Sequence, residues 1–247
     1  MRNRYYEPRE ARAARVHELF SKIAPRYDLV NDLQSFGLHR VWKRQVVRLA
    51  RVGPGALALD LCCGTGDLAW ALARAGAEVT ALDFSQPMLE QAIAKATRHL
   101  RLPPNTPHPR FVQADAQHLT FADNSFEIVT IGYGLRNLAS WEEGLGEIHR
   151  VLKPNGRAVI LEFGKPANRF WRWLYFGYLK LFVPLLGKIF CGDAEAYGYI
   201  LESLNHYPGQ VGVAAKMRQI GFAEVAIVNV LGGVMSLNFG RKGAPAN

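Results

Sequence analysis

An aspartate and a glycine-rich turn are the residues of this sequence best spaced to bind a small charged molecule. Asp60 lies on a short apolar run four residues before Gly64, and Gly64 and Gly66 let the backbone turn sharply beside a nucleotide. A carboxylate there suits the positively charged amino and sulfonium end of S-adenosylmethionine. The glycines also satisfy the G-x-G-x-x-A pattern of dinucleotide sites, which is weak evidence alone. Because Asp60 would repel a pyrophosphate, the sequence favours the sulfonium donor over a nicotinamide cofactor.

Two further aspartates follow the next apolar runs of the chain. Asp83 ends the second run, where a carboxylate can accept both hydroxyls of a ribose. Asp115 ends the third run beside Ala116, and in a methyltransferase this pair would contact the amino group and ring of adenine. Each aspartate alone could instead be a helix cap or a turn residue. Their position at successive strand ends favours one adenosylmethionine site.

The stretch Thr130–Asn137 is the candidate site for the molecule that accepts the methyl group. It ends the fourth apolar run and should therefore face the same crevice as the glycine turn. Methyltransferases that act on exocyclic amines commonly have a Pro-Pro-Tyr-type motif here, whereas this chain has Gly-Leu-Arg136-Asn137. An arginine and an amide suit an oxygen that becomes negative during the reaction. The alternative for Arg136 is an ion pair at the surface.

Alternating strand and helix patterns predict the elements that hold these residues. The predicted strands are 56–62, 78–83, 110–114, 126–132 and 157–163, with a closing pair at 223–230 and 234–240. The predicted helices are 16–23, 39–50, 67–74, 85–100, 141–152 and 208–220, with further helical structure in 165–205. We therefore expect an α/β fold of the Rossmann type: a mostly parallel seven-stranded sheet with helices on both faces.

The pattern divides the chain into four segments. Residues 1–50 form a helical segment on the substrate side that begins with a loose basic arm at residues 1–15, and residues 51–163 form the Rossmann-like core that binds adenosylmethionine. Residues 164–207 are a helical insertion that faces the substrate and the membrane. Residues 208–242 complete the core with a helix and two strands.

Composition narrows the class of protein and its partners. The 247 residues carry a formal charge of +9, which favours a nucleic acid or an anionic membrane as partner, although many basic enzymes bind neither. Cys62, Cys63 and Cys191 lack the spacing of disulfide or zinc sites, so we expect a reducing cytosol and no metal. The start of the chain lacks the apolar stretch of a signal peptide, and no apolar run is long enough to span a bilayer.

A series of motifs extends from Phe20 to Ser203 in a consistent order. They are residues 20–32, 37–44, 60–67, 83–85, 123–126, 132–137, 150–154, 161–163 and 199–203. Together they closely resemble the ubiquinone/menaquinone biosynthesis C-methyltransferases over roughly residues 16–242. The resemblance implies the class I S-adenosylmethionine-dependent methyltransferase fold and C-methylation of a polyprenylated quinol, converting demethylmenaquinol to menaquinol. The methoxy-benzoquinol of the ubiquinone pathway and another small phenolic or lipid acceptor remain alternatives.

The same resemblance assigns the contacts of the methyl donor. The family's adenosylmethionine contacts map onto Thr65, Asp83, Asp115 and Ala116, and the product would be S-adenosylhomocysteine. The chain departs from the family at Cys62-Cys63, where many members have small residues, at Asn155, which replaces a glycine, and at Gly132, which replaces a serine of some members. None of these departures threatens the activity.

The implied reaction requires a nucleophilic ring carbon, because the sulfonium methyl is already electrophilic. Removing the proton of a quinol hydroxyl, whose pKa is about 10, moves electron density onto that carbon. We expect Arg136 to stabilise the oxyanion and Asn137 to orient the same oxygen. Arginine stays protonated, so the proton leaves through water or a neighbouring side chain. His39 and Tyr27 are the candidates, and each has packing as its alternative role.

Residues 164–192 combine five cations with many aromatic side chains and contain no acidic residue. Lys180 and Pro184 interrupt its apolar runs, so the segment cannot span a membrane. It fits a position in the headgroup region beside an opening for the prenyl tail, which would place the protein peripherally at the inner face of the cytoplasmic membrane. The alternatives are a helical cap on its own sheet and a homodimer contact. We expect no nucleic-acid partner, because the chain lacks an RNA-recognition motif.

Two other function classes stay open at the level of sequence. A nicotinamide oxidoreductase would bind NADH and not adenosylhomocysteine. A non-catalytic member of a membrane biosynthetic assembly would not need the intact glycine turn and the Arg136-Asn137 pair.

Overall fold

Seven strands form a single sheet in the computed structural model, which describes residues 10–98, 103, 106–191 and 194–244. The strands are β1 (Leu57–Leu61), β2 (Glu78–Asp83), β3 (Arg110–Gln113), β4 (Phe126–Gly132), β5 (Leu152–Phe163), β6 (Phe222–Val230) and β7 (Met235–Lys242). Their order across the sheet is β3-β2-β1-β4-β5-β7-β6. Strands β1 to β5 pair in parallel, and β7 runs antiparallel to β5 and β6. The predicted sheet is confirmed.

The strand order reverses beside β1, which pairs with β2 on one side and with β4 on the other. In an open parallel sheet such a reversal leaves a crevice outside the carboxyl ends of the strands, where ligands bind. Asp60 lies near the end of β1 opposite Thr130, and Asp83 ends β2. The fold thus brings together residues that are well separated along the chain.

Helices cover both faces of this sheet. They are α1 (Glu10–Ile23), α2 (Tyr27–Ser35), α3 (His39–Ala50), α4 (Asp67–Arg74), α5 (Gln86–Arg98), α6 (Trp141–Val151), α7 (Arg169–Cys191), α8 (Ala194–His206) and α9 (Gly209–Gln219). Alternate strand residues point to opposite faces. Leu59 and Val129 share a core cluster with α1, α6 and α9, whereas Ala58 and Ile128 share one with α3 and α4.

Helix α2 was not predicted, because the sequence pattern placed a helix end before Pro25. Pro25 lies in the first turn of a short 3-10 helix, Ala24–Arg26, where a residue without a backbone N–H is tolerated. The chain then continues as α2 to Ser35. Phe36 and Gly37 adopt left-handed backbone angles, with φ of 51° and 73°, and turn the chain from α2 into α3.

Strand β5 begins at Leu152 rather than at the predicted Arg157. Leu152 pairs with Phe126 and Arg157 pairs with Ile128, so the residues between them bulge from one continuous strand. Asn155 takes a left-handed φ of 66° in this bulge. Residues 153–156 therefore form a bulge within β5, and they are not a loop between α6 and the strand.

The helical insertion shares a hydrophobic core with the sheet, and α7 packs against α8 and α2. Leu179 and Val183 of α7 and Tyr199 and Leu204 of α8 join the core cluster that contains Leu59. Of the helices within the described ranges, none is both long and apolar enough to cross a membrane. The division at residues 50, 163 and 207 stays a prediction. The predicted loose arm, residues 1–15, is wrong for residues 10–15, because α1 already begins at Glu10. Residues 1–9, the helix end near Leu100, the loop start at Asn105 and Gly192 lie outside the described residues.

Candidate active site

Asp60 lies fully buried at the base of the crevice. The Thr130 hydroxyl donates a hydrogen bond to Asp60 Oδ1 at 2.6 Å, and Oδ2 has no hydrogen-bond partner within the described part of the chain. Burial raises the pKa of Asp60 to about 7. Lys43 and Thr65 line the same part of the crevice. A buried carboxylate oxygen without a donor is arranged to receive a cation.

The glycine turn brings its backbone against Asp83. Gly64 and Gly66 have left-handed φ angles of 54° and 79°, and a Cβ at Gly66 would approach the Ala92 Cβ to 2.9 Å. The Gly64 N–H donates to Asp83 Oδ2 at 2.8 Å, and the Ser85 N–H donates to Oδ1 at 2.9 Å. Burial raises the pKa of Asp83. The predicted ribose contact therefore lies directly beside the turn, as a nucleoside site requires.

Asp115 and Ala116 line the far end of the crevice, together with Asn137. The Gln117 N–H donates to Asp115 Oδ1 at 2.9 Å, and half of the Asp115 side chain is exposed. Cys62 lines all three parts of the crevice: the part that contains Asp60, the part that contains Asp83 and the part that contains Asp115. The three parts of the crevice thus meet at Cys62, and the predicted donor contacts Asp60, Asp83 and Asp115 line them.

A second cavity opens beside the crevice, on the other side of Tyr27 and Tyr133. The walls of this apolar cavity come from α1, α2, α3, α7 and α8. Most of its lining is aliphatic or aromatic: Leu19, Phe20, Ile23, Trp42, Phe163, Tyr175, Tyr178, Leu179, Val183, Tyr199, Ile200, Val234 and Met235. Polar side chains in the lining include Arg136 and His39.

Tyr27 and Tyr133 line both the crevice and the apolar cavity, so they mark the boundary between the two. Burial raises the pKa of Tyr27 to about 12 and that of Tyr133 well above its ordinary value. Both phenols therefore stay protonated at neutral pH. Sequence reasoning did not single out Tyr133, although its position between Gly132 and Gly134 in a motif was the available signal.

Arg136 forms a buried ion pair rather than the surface pair considered from sequence. Its Nη1 lies 2.8 Å from Glu162 Oε1, and the two side chains are only 4% and 2% exposed. Nη1 also donates to the Tyr133 carbonyl at 2.7 Å, and Nε donates to Ser203 Oγ at 3.2 Å. The guanidinium carbon lies 4.7 Å from the centre of the Phe163 ring. These contacts fix a cation in the wall of the apolar cavity.

Sequence reasoning missed Glu162. The residue lies between Leu161 and Phe163 in an otherwise apolar strand end, which was the signal that could have found it. Burial raises the pKa of Glu162, whereas Arg136 and two backbone N–H groups oppose this rise. Glu162 therefore orients Arg136 and balances its charge.

Asn137 faces the crevice rather than the apolar cavity. Its Nδ2 donates to the Tyr133 carbonyl at 3.0 Å, and its Oδ1 is buried with no partner among the described residues. It lines the parts of the crevice that contain Asp83 and Ala116. The structure thus does not bring Arg136 and Asn137 into one cavity, and the expected shared role on one oxygen stays a prediction.

His39 is buried in the wall of the apolar cavity. Its Nε2 lies 2.8 Å from Asp32 Oδ1, and its Nδ1 is buried with no partner among the described residues. Burial lowers the pKa of His39, so the ring is neutral at pH 7. Of the two candidate bases, His39 is therefore the one with a lone pair available.

An ion-pair network behind the glycine turn was also missed. Lys43 Nζ lies 2.6 Å from Asp67 Oδ2, and Lys95 pairs with both Asp67 and Asp28. Thr65 Oγ1 donates to Asp28 at 2.6 Å. The Thr65 hydroxyl is thus held by Asp28 of α2, and it accepts a hydrogen bond from Lys95 of α5 at 3.1 Å.

The chain matches the ubiE/COQ5 methyltransferase family over residues 9–242. The ubiquinone/menaquinone biosynthesis C-methyltransferase UbiE of Azotobacter vinelandii is 40% identical over 239 residues, which are 95% of this chain and 92% of that protein. The demethylmenaquinone methyltransferase of Desulfitobacterium hafniense is 40% identical over 234 residues, 94% of this chain and 91% of that protein. The chain belongs to this family.

Solved structures agree at the level of the fold. A SAM-dependent methyltransferase of Aquifex aeolicus superposes with a TM-score of 0.59 at 14% identity, covering 87% of this chain and 97% of that one. Magnesium protoporphyrin IX methyltransferase of Synechocystis PCC 6803, solved with bound SAH, superposes with a TM-score of 0.55 at 19% identity. The superposition covers 83% of each chain. With the family match, the protein is an adenosylmethionine-dependent methyltransferase of the class I fold rather than a nicotinamide oxidoreductase.

The crevice fits this donor. The free Asp60 oxygen suits the amino group, and Asp83 lies where a ribose would follow. Residues 10–98, 103, 106–191 and 194–244 contain no cluster of acidic, histidine or cysteine side chains that could hold a metal ion.

Proposed function

We propose that the enzyme transfers a methyl group from S-adenosylmethionine to a ring carbon of a polyprenylated quinol, converting demethylmenaquinol to menaquinol. The observation that carries this proposal is the buried Arg136 in the wall of an apolar cavity next to the donor crevice. A cation in an otherwise apolar wall suits a ligand with one acidic oxygen and a long hydrocarbon tail. The names of the Azotobacter and Desulfitobacterium relatives support the same substrate class.

The chemistry requires an activated ring carbon and a well-placed methyl group. In this proposal Arg136 stabilises the negative charge that develops on the quinol oxygen, which makes the adjacent carbon nucleophilic. Glu162 accepts a hydrogen bond from Arg136 Nη1 at 2.8 Å and so keeps the guanidinium in place. Tyr27 and Tyr133 at the boundary hold the ring close to the methyl group, so much of the acceleration comes from alignment.

Product analysis with the purified enzyme tests this function. We expect that adenosylmethionine with a labelled methyl group labels a ring carbon of reduced demethylmenaquinol and yields adenosylhomocysteine in equal amount. The oxidised quinone is the control, because it has no hydroxyl to ionise and should not react. Label on oxygen, or equal reaction of the quinone, would contradict the proposal. A methoxy-benzoquinol acceptor in parallel tests the ubiquinone-pathway alternative.

We further propose that α7 binds the anionic inner surface of the cytoplasmic membrane. One face of α7 lines the apolar cavity with Tyr175 and Leu179, while Trp173 and Leu181 on its outer side are 70% and 73% exposed. Exposed apolar side chains of this kind mark a surface that another molecule covers. The cations of the helix favour an anionic lipid surface, because they can bind lipid phosphates. A quinol tail could then leave the membrane beside the cavity.

Vesicle flotation checks this second proposal. We expect binding to vesicles that contain phosphatidylglycerol but not to purely zwitterionic ones. Lys180→Gln and Lys188→Gln should each weaken binding about fivefold, since one cation near such a surface contributes about 1 kcal/mol. The control is Val211→Ser, because Val211 is also exposed but lies on α9. Equal flotation of all variants would contradict the proposal.

A further inference from the structure

Asp32 and His39 form a hydrogen-bonded pair behind the apolar cavity. They lie seven residues apart, on α2 and α3, and the left-handed turn at Phe36 and Gly37 brings them together. Asp32 Oδ1 lies 2.8 Å from His39 Nε2. His39 lines both the apolar cavity and a polar pocket on its other side, and Asp32 lines that polar pocket.

Arg40 holds the Asp32 carboxylate in place. Its Nε donates to Oδ1 at 2.9 Å and its Nη2 donates to Oδ2 at 2.6 Å, which is the two-pronged geometry that arginine makes with carboxylates. Partial burial raises the pKa of Asp32, but the hydrogen bonds from Arg40 and His39 lower it below its ordinary value. Asp32 is therefore an ionised acceptor at neutral pH.

An ionised carboxylate fixes the tautomer of its histidine partner. Because a carboxylate only accepts hydrogen bonds, Nε2 must carry the proton in the neutral ring. Nδ1 then carries the lone pair, and this nitrogen is buried with no hydrogen-bond partner among the described residues. A buried acceptor without a donor is costly, which indicates that a ligand supplies the donor.

We infer that Asp32 is a positioning residue: it holds the His39 proton on Nε2 and so presents Nδ1 as the base for a ring hydroxyl of the acceptor. The inference rests on the proposed function, since it requires an acceptor with an acidic hydroxyl in the apolar cavity. Arg136 and His39 then act on the same hydroxyl, one on the developing charge and the other on the proton.

The step balances without any further reactant. The quinol O–H bond breaks, an N–H bond forms at Nδ1, and the oxygen electron pair becomes available at the adjacent ring carbon. That carbon bonds to the methyl group as the C–S bond of the sulfonium breaks and leaves neutral adenosylhomocysteine. The ring carbon then loses its hydrogen to water as a proton, and His39 returns its proton to the oxygen. One proton is released in each turnover.

The charges around His39 set the expected pH dependence. They are Asp32 on α2, Arg40 and Lys43 on α3, Asp67 on α4 and, across the apolar cavity, Arg136. Burial and Lys43 lower the pKa of His39, whereas Asp32 and Asp67 raise it. Because the neutral ring is the active form, activity rises with pH through a pKa below 6.5. Removing the Asp32 charge moves this rise to lower pH while the maximal rate falls.

The test combines kinetics with nitrogen NMR of the histidine rings. We expect Asp32→Asn to lower kcat by about 100-fold or more, in the range of general-base catalysis, with KM for the quinol and the affinity for adenosylhomocysteine unchanged. Asp32→Glu should recover part of kcat. The matched control is Asp123→Asn, which removes the 2.7 Å ion pair of an exposed aspartate with Arg150 and should leave kcat unchanged.

The NMR measurement remains decisive even if Asp32→Asn folds poorly, because the tautomer of His39 is observed in the wild-type protein. The His39 signal, identified by its loss in His39→Gln, should show a proton on Nε2 and none on Nδ1. A proton on Nδ1, or an Asp32→Asn enzyme with wild-type kcat and pH profile, would overturn the inference. A wild-type enzyme that shows the expected tautomer but methylates no quinol would instead contradict the proposed function.

Discussion

Replacing Arg136 with methionine lowers kcat for quinol methylation by about 10²–10³-fold, the usual effect of removing a group that stabilises a developing oxyanion. The affinity for adenosylhomocysteine stays close to the wild-type value, because Arg136 lies in the wall of the apolar cavity and not of the crevice. Single-turnover kinetics with saturating quinol measures the loss. Methionine keeps much of the arginine's apolar volume, so the wall of the cavity remains filled.

The same substitution destabilises the fold for a separate reason. It leaves Glu162 buried without its ion-pair partner, which costs about 3–5 kcal/mol. The loss should be smaller at low pH, because the pKa of Glu162 is already raised by burial and rises further without Arg136, so the folded form takes up a proton. The double variant Arg136→Met/Glu162→Gln removes the buried charge and is the control. We expect it to recover most of the stability and none of the activity.

These two variants distinguish a chemical role from a structural one. If the double variant regained both stability and turnover, Arg136 would serve only to balance Glu162. Denaturant unfolding at pH 5 and pH 8 gives the stability, and the methyl-transfer assay gives the activity.

Adenosylhomocysteine binds more tightly as the pH rises from 6 to 8, and binding near pH 7 releases a proton. In the free protein burial raises the pKa of Asp60 to about 7, so part of the population is protonated. The amino group of the ligand favours the ionised carboxylate and displaces that proton. Calorimetry in two buffers of different ionisation enthalpy measures the number of protons released.

Asp60→Asn lowers the affinity for adenosylhomocysteine and removes its pH dependence. We expect binding of adenosylhomocysteine to weaken by about 10- to 100-fold, as for a lost hydrogen bond to a charged group. Methylthioadenosine is the matched ligand control, because it lacks the amino-acid part and should bind both proteins equally. A variant that lost affinity for both ligands would show that Asp60 supports the crevice and does not contact the amino group.

The same carboxylate affects the stability of the free protein in the opposite direction. The folded-state pKa of Asp60 exceeds the ordinary value of 3.8, so the folded form binds more protons between about pH 4 and pH 7. Stability therefore falls as the pH rises through that window and is constant above it. Asp60→Asn should make the free enzyme more stable at pH 8 while it weakens donor binding.

The sheet and the crevice could be predicted because their signals are local. The glycine turn and the aspartates Asp60, Asp83 and Asp115 all lie at or near the ends of apolar runs that form parallel strands, and the carboxyl ends of such strands meet at one edge. The connection at Pro25 was misread because a proline can begin a helical turn as well as follow a helix.

The apolar cavity could not be predicted, because its walls come from distant parts of the chain. The Tyr178 hydroxyl donates to the Gln34 carbonyl across 144 residues and joins α7 to α2. Nothing in either segment indicates this pairing. Glu162 in β5 and Arg136 in the 3-10 helix after β4 are 26 residues apart, and a single sequence does not show which buried charges meet.

The shared boundary of crevice and cavity at Tyr27 and Tyr133 has a consequence for how solvent affects the rate. Methyl transfer joins a cationic sulfur compound to an anionic ring and yields two uncharged products. Water opposes such mutual neutralisation, because it solvates both ions, whereas a hydrocarbon-lined chamber strengthens their attraction. The surroundings of the quinol ring would therefore favour the reaction through low polarity alone, in addition to what any one side chain contributes.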